Sequence, residues 1–305
     1  MTTFSIILPC YNAQATIAAT LDSLIAQSFG DWEAICVDDG SSDATCAIVE
    51  AYAAREPRIR LIDEGRNGPS GARNLGAARA KGRFLAFCDA DDLWTETKLA
   101  DLAEAFASTS ADALYSRIAF FTREGVAATT STVPEGALTI AQLLGENPVC
   151  TMSNLTVLRD VFAMTGGFAT DMAQNEDLEW LIRAVGEGCV IRGLPQLHVW
   201  YRASAGGLSA DLDKMAASRQ IALATAARYG VQATAENEAV YLRYLARRAL
   251  RLDVCGTKAA RLAAAGLRAS PRAFLSPLRR GALTALAAAA APALPRALRQ
   301  SLFAQ

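Results

Sequence analysis

Strand-like and helical segments alternate along the first 120 residues, and this alternation restricts the folds open to the chain. Apolar runs typical of buried strands occupy residues 4–8, 32–37, 58–62, 84–88 and about 113–116. Helical patterns lie between them, at roughly 14–27, 43–54, 70–81 and 95–108. Alternation at this spacing predicts βαβ units, and hence an α/β fold with a mostly parallel, Rossmann-like central sheet and helices on both faces.

Polar side chains follow three of the predicted strands. These segments are Pro9-Cys10-Tyr11-Asn12, Asp38-Asp39-Gly40-Ser41-Ser42-Asp43 and Asp89-Ala90-Asp91-Asp92. Each alone is typical of an ordinary turn, and the last would also cap the next helix. Because the carboxyl ends of parallel strands meet at one edge of a sheet, the three together predict a composite binding site. Carboxylates spaced like Asp89 and Asp91 also suit a hard divalent cation shared with a ligand's phosphates.

Composition and cysteine usage indicate the class of protein. With 305 residues, 52% of them hydrophobic, the chain can bury a sizeable core and add an appendage. The seven cysteines are odd in number and lack C-x-x-C spacing, which favours reduced thiols over disulfides or a zinc site. The first residues form a strand-like run without the features of a secretory signal. These observations predict a cytoplasmic protein.

The charge is strongly segregated along the chain. Residues 243–305 contain twelve Lys or Arg and one acid, Asp253, although the formal net charge of the whole chain is −1. This asymmetry predicts two parts with different partners. We expect a first domain over 1–210, with halves at 1–120 and 121–210, and a basic, Ala/Arg-rich helical region over 211–305.

The basic region contains one apolar stretch, at 281–294. It is shorter than the roughly 20 residues that a transmembrane helix needs. Flanking arginines suit a helix that lies on an anionic membrane surface, so 243–305 is a candidate contact for such a surface. A solvated appendage or an oligomer contact explains the stretch equally well, and these alternatives stay open.

Five segments resemble the inverting family 2 glycosyltransferases of bacterial polysaccharide biosynthesis. They are Ser5-Ile6-Ile7-Leu8-Pro9-Cys10-Tyr11-Asn12, Leu21-Asp22-Ser23-Leu24-Ile25-Ala26-Gln27-Ser28-Phe29, Val37-Asp38-Asp39-Gly40-Ser41-Ser42-Asp43, Gly71-Ala72-Arg73-Asn74-Leu75-Gly76 and Phe87-Cys88-Asp89-Ala90-Asp91-Asp92. They occur in the family's order and spacing over about 90 residues. The resemblance implies a GT-A fold, a nucleotide-sugar donor (expected to be a UDP-sugar), Mn²⁺ or Mg²⁺, and transfer with inversion at the anomeric carbon.

The resemblance also assigns donor-binding residues. They are Pro9, Tyr11, Asp38, Asp39, Arg73, Asp89 and Arg202. An aromatic ring such as Tyr11 can stack on a pyrimidine base, and Asp39 can accept a hydrogen bond from its imide N–H. Asp38 either orients its loop or accepts a hydrogen bond from a ribose hydroxyl. Arg73 offers a planar donor fork, unless it is an ordinary surface arginine.

The Asp cluster matches the family's D-x-D pattern. Asp91 is then the principal metal ligand, and Asp89 faces either ribose or metal. Asp92 is expected to support the other two or to cap a helix. In many relatives a histidine follows the arginine of the segment 200–209, but the only histidine here is His198, which we interpret as a packing residue.

The acceptor side is expected within residues 150–202. Gly166-Gly167-Phe168 resembles the family's acceptor loop, and Asn175-Glu176-Asp177 resembles the E-D motif that supplies the catalytic base. We assign the base to Asp177, with Glu176 as the alternative, although acids in a first helical turn also occur for electrostatic reasons alone. Trp180 either stacks on an acceptor sugar or packs in the core.

These assignments predict a metal-dependent glycosyltransferase acting on a sugar or lipid-linked glycan acceptor, in cell-surface polysaccharide or glycolipid assembly. It would be cytoplasmic or peripheral on the inner face of the plasma membrane, without a nucleic-acid partner. A sugar-phosphate nucleotidyltransferase is the first alternative, but residues 8–12 lack its Gly-rich basic loop. An inactive nucleotide-binding or membrane scaffold is the second, and the presence of Asp39, Asp91 and Asp177 argues against it.

Overall fold

The computed structural model describes residues 2–64, 67–123, 126–172, 174–202, 211–252 and 256–303. The chain divides into two compact units. The first unit contains residues 1–138 and 148–203, and the second contains 139–147 and 204–305. The second unit therefore combines segment 139–147 with the C-terminal helices.

The first unit is built around one curled sheet. In chain order the strands are β1 (Phe4–Cys10), β2 (Trp32–Asp38), β3 (Ile59–Asp63), β4 (Phe84–Phe87), β5 (Leu93–Trp94), β6 (Ala113–Arg123), β7 (Val126–Thr130), β8 (Thr156–Leu158) and β9 (Ile191–Arg202). Their order across the sheet is β3-β2-β1-β4-β8-β6-β9-β5, and β7 pairs with β6. The pairs among β1 to β4 are parallel, whereas β8, β7 and β5 pair with their neighbours in antiparallel fashion. The sheet is thus parallel in its first part and mixed beyond it.

The helices of the two units are numbered in order along the chain. They are α1 (Ile17–Ile25), α2 (Thr45–Ala53), α3 (Gly68–Ala78), α4 (Lys98–Ser108), α5 (Ile140–Leu143), α6 (Arg159–Met164), α7 (Glu176–Gly186), α8 (Leu212–Arg228), α9 (Ala235–Arg251), α10 (Gly256–Ala269), α11 (Pro271–Leu275), α12 (Leu278–Ala290) and α13 (Arg296–Phe303).

The residues of β1 explain why helices cover both faces of the sheet. Successive side chains of a strand point to opposite faces. Ile6 and Leu8 join a buried cluster that includes Leu21 of α1. Ile7 points the other way, against Gly76 of α3, where an added Cβ would lie only 2.5 Å from the Ile7 side chain. The predicted α/β fold class, with helices on both faces and a helical C-terminal part, is confirmed.

The second unit is a helical bundle with a core rich in small side chains. Buried alanines of α9, α10 and α12 pack around Phe274, which is fully buried. Two helices begin at capping residues, since the Asp211 side chain accepts hydrogen bonds from backbone N–H groups of α8 and Thr234 forms a capping box in α9. Within the described ranges, no helix is long and apolar enough to cross a membrane.

Candidate active site

The polar segments after β1, β2 and β4 lie at one edge of the sheet. Both neighbours of β1 run parallel to it, so the three strands end side by side. Pro9 is half-buried at the end of β1, and the Tyr11 side chain beyond it is 51% exposed. An exposed aromatic ring at this edge is a surface on which a planar ligand can stack.

The loop after β2 is organised by its own aspartates. One carboxylate oxygen of Asp38 accepts hydrogen bonds from the backbone N–H groups of Gly40 (2.9 Å) and Ser41 (2.8 Å). Asp38 is only 1% exposed and orients its loop through these bonds, whereas its other carboxylate oxygen is buried without a hydrogen-bond partner among the described residues. Asp39 is half-buried and accepts a hydrogen bond of 2.5 Å from the backbone N–H of Asn67, just before α3.

Arg73 of α3 joins two distant parts of the chain. Its guanidinium lies 2.6 Å from the carboxylate of Asp89 and 3.1 Å from that of Glu176. Burial alone would lower the pKa of Arg73, but the charges of Asp89, Glu176 and Asp177 outweigh it and raise that pKa. Arg73 is therefore a buried cation between the D-x-D segment and the start of α7, rather than a surface arginine.

Ser153 lies between the aspartates of the D-x-D segment. Its hydroxyl donates to Asp92 (2.6 Å) and accepts from the backbone N–H of Asp89 (2.9 Å). Asp92 is fully buried, and its other carboxylate oxygen accepts from the backbone N–H of Arg202 (2.9 Å). Burial and the charges of Asp89 and Asp91 raise the pKa of Asp92 well above its usual range. Asp92 is thus held internally by Ser153 and by the backbone of Arg202.

Asp91 is the carboxylate best suited to a divalent cation. Burial first, and then the charge of Asp89, raise the pKa of Asp91 to about 6. A bound cation would offset that charge. The described residues contain no cluster of three or more acidic, histidine or cysteine side chains able to hold a metal alone. The site fits Mg²⁺ or Mn²⁺ in the mode that uses one or two carboxylates together with substrate phosphates and water.

Arg202 contributes positive charge beside Asp91. Its Nε donates to the Asp91 carbonyl oxygen (2.9 Å), and its guanidinium lies over the ring of Phe121, 4.7 Å from the centroid. The segment 203–210, which follows Arg202, lies outside the described residues.

Helix α7 begins with the predicted catalytic acids. Asn175 precedes it in the left-handed conformation (φ 60°), and Glu176 and Asp177 occupy its first turn. Asp177 is half-buried; burial and the charge of Glu176 raise its pKa to about 7. Glu176 is engaged by Arg73, so the two adjacent acids differ in environment. A carboxylate with a pKa near neutrality is suited to take up and release a proton.

Trp180 packs in the core. It is fully buried, its indole N–H donates to the Thr165 hydroxyl (3.0 Å), and its ring lies 5.6 Å from that of Phe162 and 5.8 Å from that of Phe168. Stacking on an acceptor sugar, the other predicted alternative, is wrong for this ring because no face of it reaches solvent.

His198 is also a packing residue. It is 1% exposed, and its Nε2 lies 2.9 Å from the carboxylate of Asp101 on α4. Burial lowers the pKa of His198 despite that hydrogen bond.

Four residues that hold the site together were not predicted from the sequence: Asn74, Lys98, Thr151 and Ser153. The Asn74 side chain makes two hydrogen bonds with the backbone of Phe168, to its oxygen (2.8 Å) and from its N–H (2.9 Å). The Thr151 hydroxyl donates to Asp89 (3.1 Å). Lys98 is fully buried and donates to the carbonyl oxygen of Ser153 (2.6 Å). For Thr151 and Ser153 the available sequence signal was the segment Thr151-Met152-Ser153-Asn154, which has three polar residues out of four.

Comparison with known proteins finds relatives named as glycosyltransferases. Among sequences, the chain is 44% identical over 96 residues to WfgD of Escherichia coli, a UDP-Glc:alpha-D-GlcNAc-diphosphoundecaprenol beta-1,3-glucosyltransferase; the match covers 31% of this chain. The chain spans 29 to 38% of the length of WfgD and two further relatives.

Two solved structures share the fold across 98% of this chain. TarS 1-349 of S. aureus in complex with UDP-GlcNAc has a TM-score of 0.63 at 20% identity, over 91% of its chain. The mannosyltransferase PcManGT from Pyrobaculum calidifontis, in complex with GDP-Man and Mn²⁺, has a TM-score of 0.57 at 21% identity, over 78% of its chain.

One family profile covers more than half of the chain. Glycosyl transferase family 2 matches residues 5–165, from the first strand to the turn after α6. This range contains the segments after β1, β2 and β4, with Arg73 and the D-x-D aspartates. The chain therefore belongs to glycosyl transferase family 2.

Proposed function

We propose that the chain is a cation-dependent, inverting glycosyltransferase that moves a sugar from a UDP-sugar to an acceptor hydroxyl. The observation that supports it best is the double ion pair of Arg73, which holds the D-x-D segment and the E-D motif in one place. A transferase needs a leaving-group site and a base close together, and these are the two segments so joined.

The nucleoside would bind at the ends of β1 and β2. The exposed ring of Tyr11, near Pro9, would stack on uracil, and the Asp39 oxygen that does not bond to Asn67 would accept a hydrogen bond from the base. Asp38, being buried, would act by fixing the loop that carries Asp39. UDP is favoured because WfgD is named for UDP-Glc and TarS binds UDP-GlcNAc.

The diphosphate would lie beside Asp91, Asp89 and Arg202. Asp91 would hold the divalent cation, with Asp89 next to it; PcManGT, which shares the fold, binds Mn²⁺ with its donor. The cation supplies Lewis-acid stabilisation of the charge that develops on the departing diphosphate. Arg202 supplies fixed positive charge there, and Arg73 keeps Asp89 in position.

Asp177 would act as the general base. It takes the proton of the acceptor hydroxyl while that oxygen attacks the anomeric carbon and the bond from that carbon to the diphosphate oxygen breaks. A single displacement from the opposite side inverts the anomeric carbon, so no covalent enzyme intermediate forms. Glu176 remains the alternative base, but its ion pair with Arg73 makes it less available for proton transfer.

The acceptor is proposed to be a lipid-linked glycan of surface-polysaccharide or glycolipid assembly. WfgD is named for a diphosphoundecaprenol-linked acceptor. Such an acceptor lies at a membrane, and the basic residues of 243–305 would favour an anionic membrane surface. The protein would then act in the cytoplasm, on the inner face of the plasma membrane.

The test is cation-dependent turnover of a UDP-sugar. We expect wild-type protein to hydrolyse or transfer the donor with Mn²⁺ or Mg²⁺ and to stop in EDTA. Asp91→Asn should lower kcat/KM by at least about a hundredfold, which corresponds to about 2.7 kcal/mol of transition-state stabilisation. Asp160→Asn, which removes a carboxylate that is 96% exposed on α6, should leave turnover unchanged. Equal turnover by wild-type protein and Asp91→Asn would refute the proposal.

A further inference from the structure

Three arginines share one face of α9. Arg243, Arg247 and Arg251 follow at intervals of four residues, which places their side chains on the same side of the helix. Arg280, near the start of α12, lies close enough for its charge to act on all three. We call these four side chains the arginine cluster.

Among the described residues, one acidic side chain lies within ion-pair distance of the arginine cluster. Glu146 lies 3.6 Å from Arg243 and 3.7 Å from Arg280, and it is the acid that the described residues bring to the cluster. Arg243 is also engaged by the end of α11, where it donates to the carbonyl oxygens of Ala273 (3.2 Å) and Phe274 (3.0 Å). Arg243 is therefore a structural residue, and it shares Glu146 with Arg280.

Arg247 is the member whose environment calls for a ligand. It is half-buried, and within the described part of the chain its guanidinium has neither a hydrogen bond nor an ion pair. Burial first, and then the charges of Arg251 and Arg280, lower the pKa of Arg247 to about 10, although the charge of Glu146 acts in the opposite direction. A cation held among like charges away from water costs free energy unless an anion offsets it.

The chemistry of the cluster and its surroundings points to one kind of anion. Guanidinium groups bind phosphate oxygens through paired N–H donors. Leu283 lies three residues after Arg280 and is therefore its neighbour on α12. Leu283 is 58% exposed and Leu286, on the same side, is 68% exposed. Phosphate-binding cations beside exposed leucines match a phospholipid layer, in which phosphates lie next to hydrocarbon.

We propose that Arg247, Arg251 and Arg280 form a binding site for the phosphoryl group of an anionic membrane lipid, with Leu283 and Leu286 in the adjoining apolar layer. Free phosphate has the same charged group, so the experiment must separate the two sources. The proposal does not depend on the glycosyltransferase assignment, because it concerns residues outside the candidate active site.

The experiment measures sedimentation of the full chain with phosphatidylcholine vesicles that contain phosphatidic acid. We expect Arg247→Gln to weaken binding about tenfold. Arg268→Gln, which removes the same charge from an exposed position on α10, should weaken it no more than about twofold. Leu286→Gln should also weaken vesicle binding, since it removes an apolar contact. Equal losses in Arg247→Gln and Arg268→Gln would mean diffuse charge attraction and would overturn the site.

A thermal-shift arm identifies the source of the phosphate. With EDTA present, inorganic pyrophosphate should raise the melting temperature of wild-type protein and of Leu286→Gln, but not of Arg247→Gln. A pyrophosphate shift without vesicle binding would overturn the assignment to a lipid. The unliganded Arg247→Gln should melt no lower than wild type, because the lost charge is unfavourable in the fold. Its UDP-sugar turnover should equal that of wild type, so failure here is separate from failure of the proposed function.

Discussion

At the residue scale, Ser153 is the side chain on which the order of the D-x-D segment depends. Its hydroxyl joins the backbone of Asp89 to the carboxylate of Asp92, and its carbonyl oxygen accepts from the buried Lys98. All of these contacts are buried or half-buried. Loss of the hydroxyl would leave a backbone donor and a carboxylate without their partners.

We therefore expect Ser153→Ala to lower the free energy of unfolding by about 1–3 kcal/mol, the typical cost of buried polar groups left unsatisfied. Denaturant unfolding measures the change. Ser108→Ala provides the control, since that hydroxyl is exposed and bonds only to the Ala105 carbonyl of its own helix. Equal stability of Ser153→Ala and wild type would show that water replaces the hydroxyl.

Asp177→Asn should abolish transfer while leaving donor binding intact. The amide keeps the size of the side chain but cannot accept the proton, so we expect kcat to fall by about 100- to 10,000-fold, as for loss of a general base. Since the pKa of Asp177 is raised to about 7, wild-type kcat/KM should fall tenfold per unit as the pH drops below that value. UDP-induced thermal shifts check donor binding. A variant that still transfers normally would move the base to Glu176.

The same variant should change stability in a pH-dependent way. Asp177 has a higher pKa in the folded chain than its usual 3.8, so the folded state binds the proton more tightly between about pH 4 and 7. Its contribution to stability is lost as the pH rises through that window. Asp177→Asn should therefore melt higher than wild type at pH 8, and this advantage should disappear near pH 4.

At the element scale, α3 can pack closely against the sheet because Gly76 has no side chain. A Cβ there would lie 2.5 Å from the Ile7 side chain and 3.2 Å from that of Val37, both in the buried sheet. We expect Gly76→Ala to destabilise the chain by about 1–3 kcal/mol through overpacking, which exceeds the gain of about 1 kcal/mol in helix propensity.

Because α3 carries Arg73, Gly76→Ala should also lower donor turnover. Gly30→Ala is the matched control, since a Cβ at that exposed loop position meets no atom within 4 Å. Denaturant unfolding and UDP-sugar hydrolysis measure both variants. If Gly76→Ala proved as stable and active as Gly30→Ala, α3 would have room to move away from the sheet.

The elements that the sequence predicted well are those with local signals. The strands β1, β2 and β4 are continuous apolar runs bounded by turns, and their predicted positions agree with the structure to within two residues at either end. The antiparallel part was not predicted, because β8 has only three residues and its pairing with β4 is set by distant contacts. Parallel βαβ units can be recognised locally, whereas such long-range pairs cannot.

The candidate site divides in the same way. The aspartates follow recognisable strands, so their place at the sheet edge could be predicted. The partnership of Arg73 with Glu176 spans 103 residues, and that of Ser153 with Asp92 spans 61, so neither leaves a local pattern. From the sequence alone, the position of Trp180 on α7 fits either the core or the surface. The contacts of its ring with Phe162 and Phe168 place it in the core.

At the scale of the whole molecule, positive charge is concentrated in 243–305 and negative charge elsewhere. Attraction between exposed arginines and a charged surface is screened by salt, whereas buried ion pairs such as that of Arg73 are screened much less. We expect a rise from about 0.05 M to about 0.5 M NaCl to weaken binding to anionic vesicles many-fold. Turnover of a soluble UDP-sugar should change less than about twofold over that range. Vesicle binding that does not change with salt concentration would indicate that apolar contacts of the leucines, and not the arginines, provide the attraction.

The single buried histidine has a consequence for how pH–rate curves of this protein are interpreted. A kinetic step between about pH 6 and 7 is ordinarily assigned to an imidazole. His198 is 1% exposed and bonded to Asp101, with its pKa lowered, so it is a poor source of such a step. The groups to consider instead are Asp91, with a pKa of about 6, and Asp177 and the buried Lys98, each with a pKa of about 7. As the only imidazole in the chain, His198 would also give one pair of ring C–H resonances by NMR, which reports on the packing of β9 against α4 without labelling any residue of the candidate site.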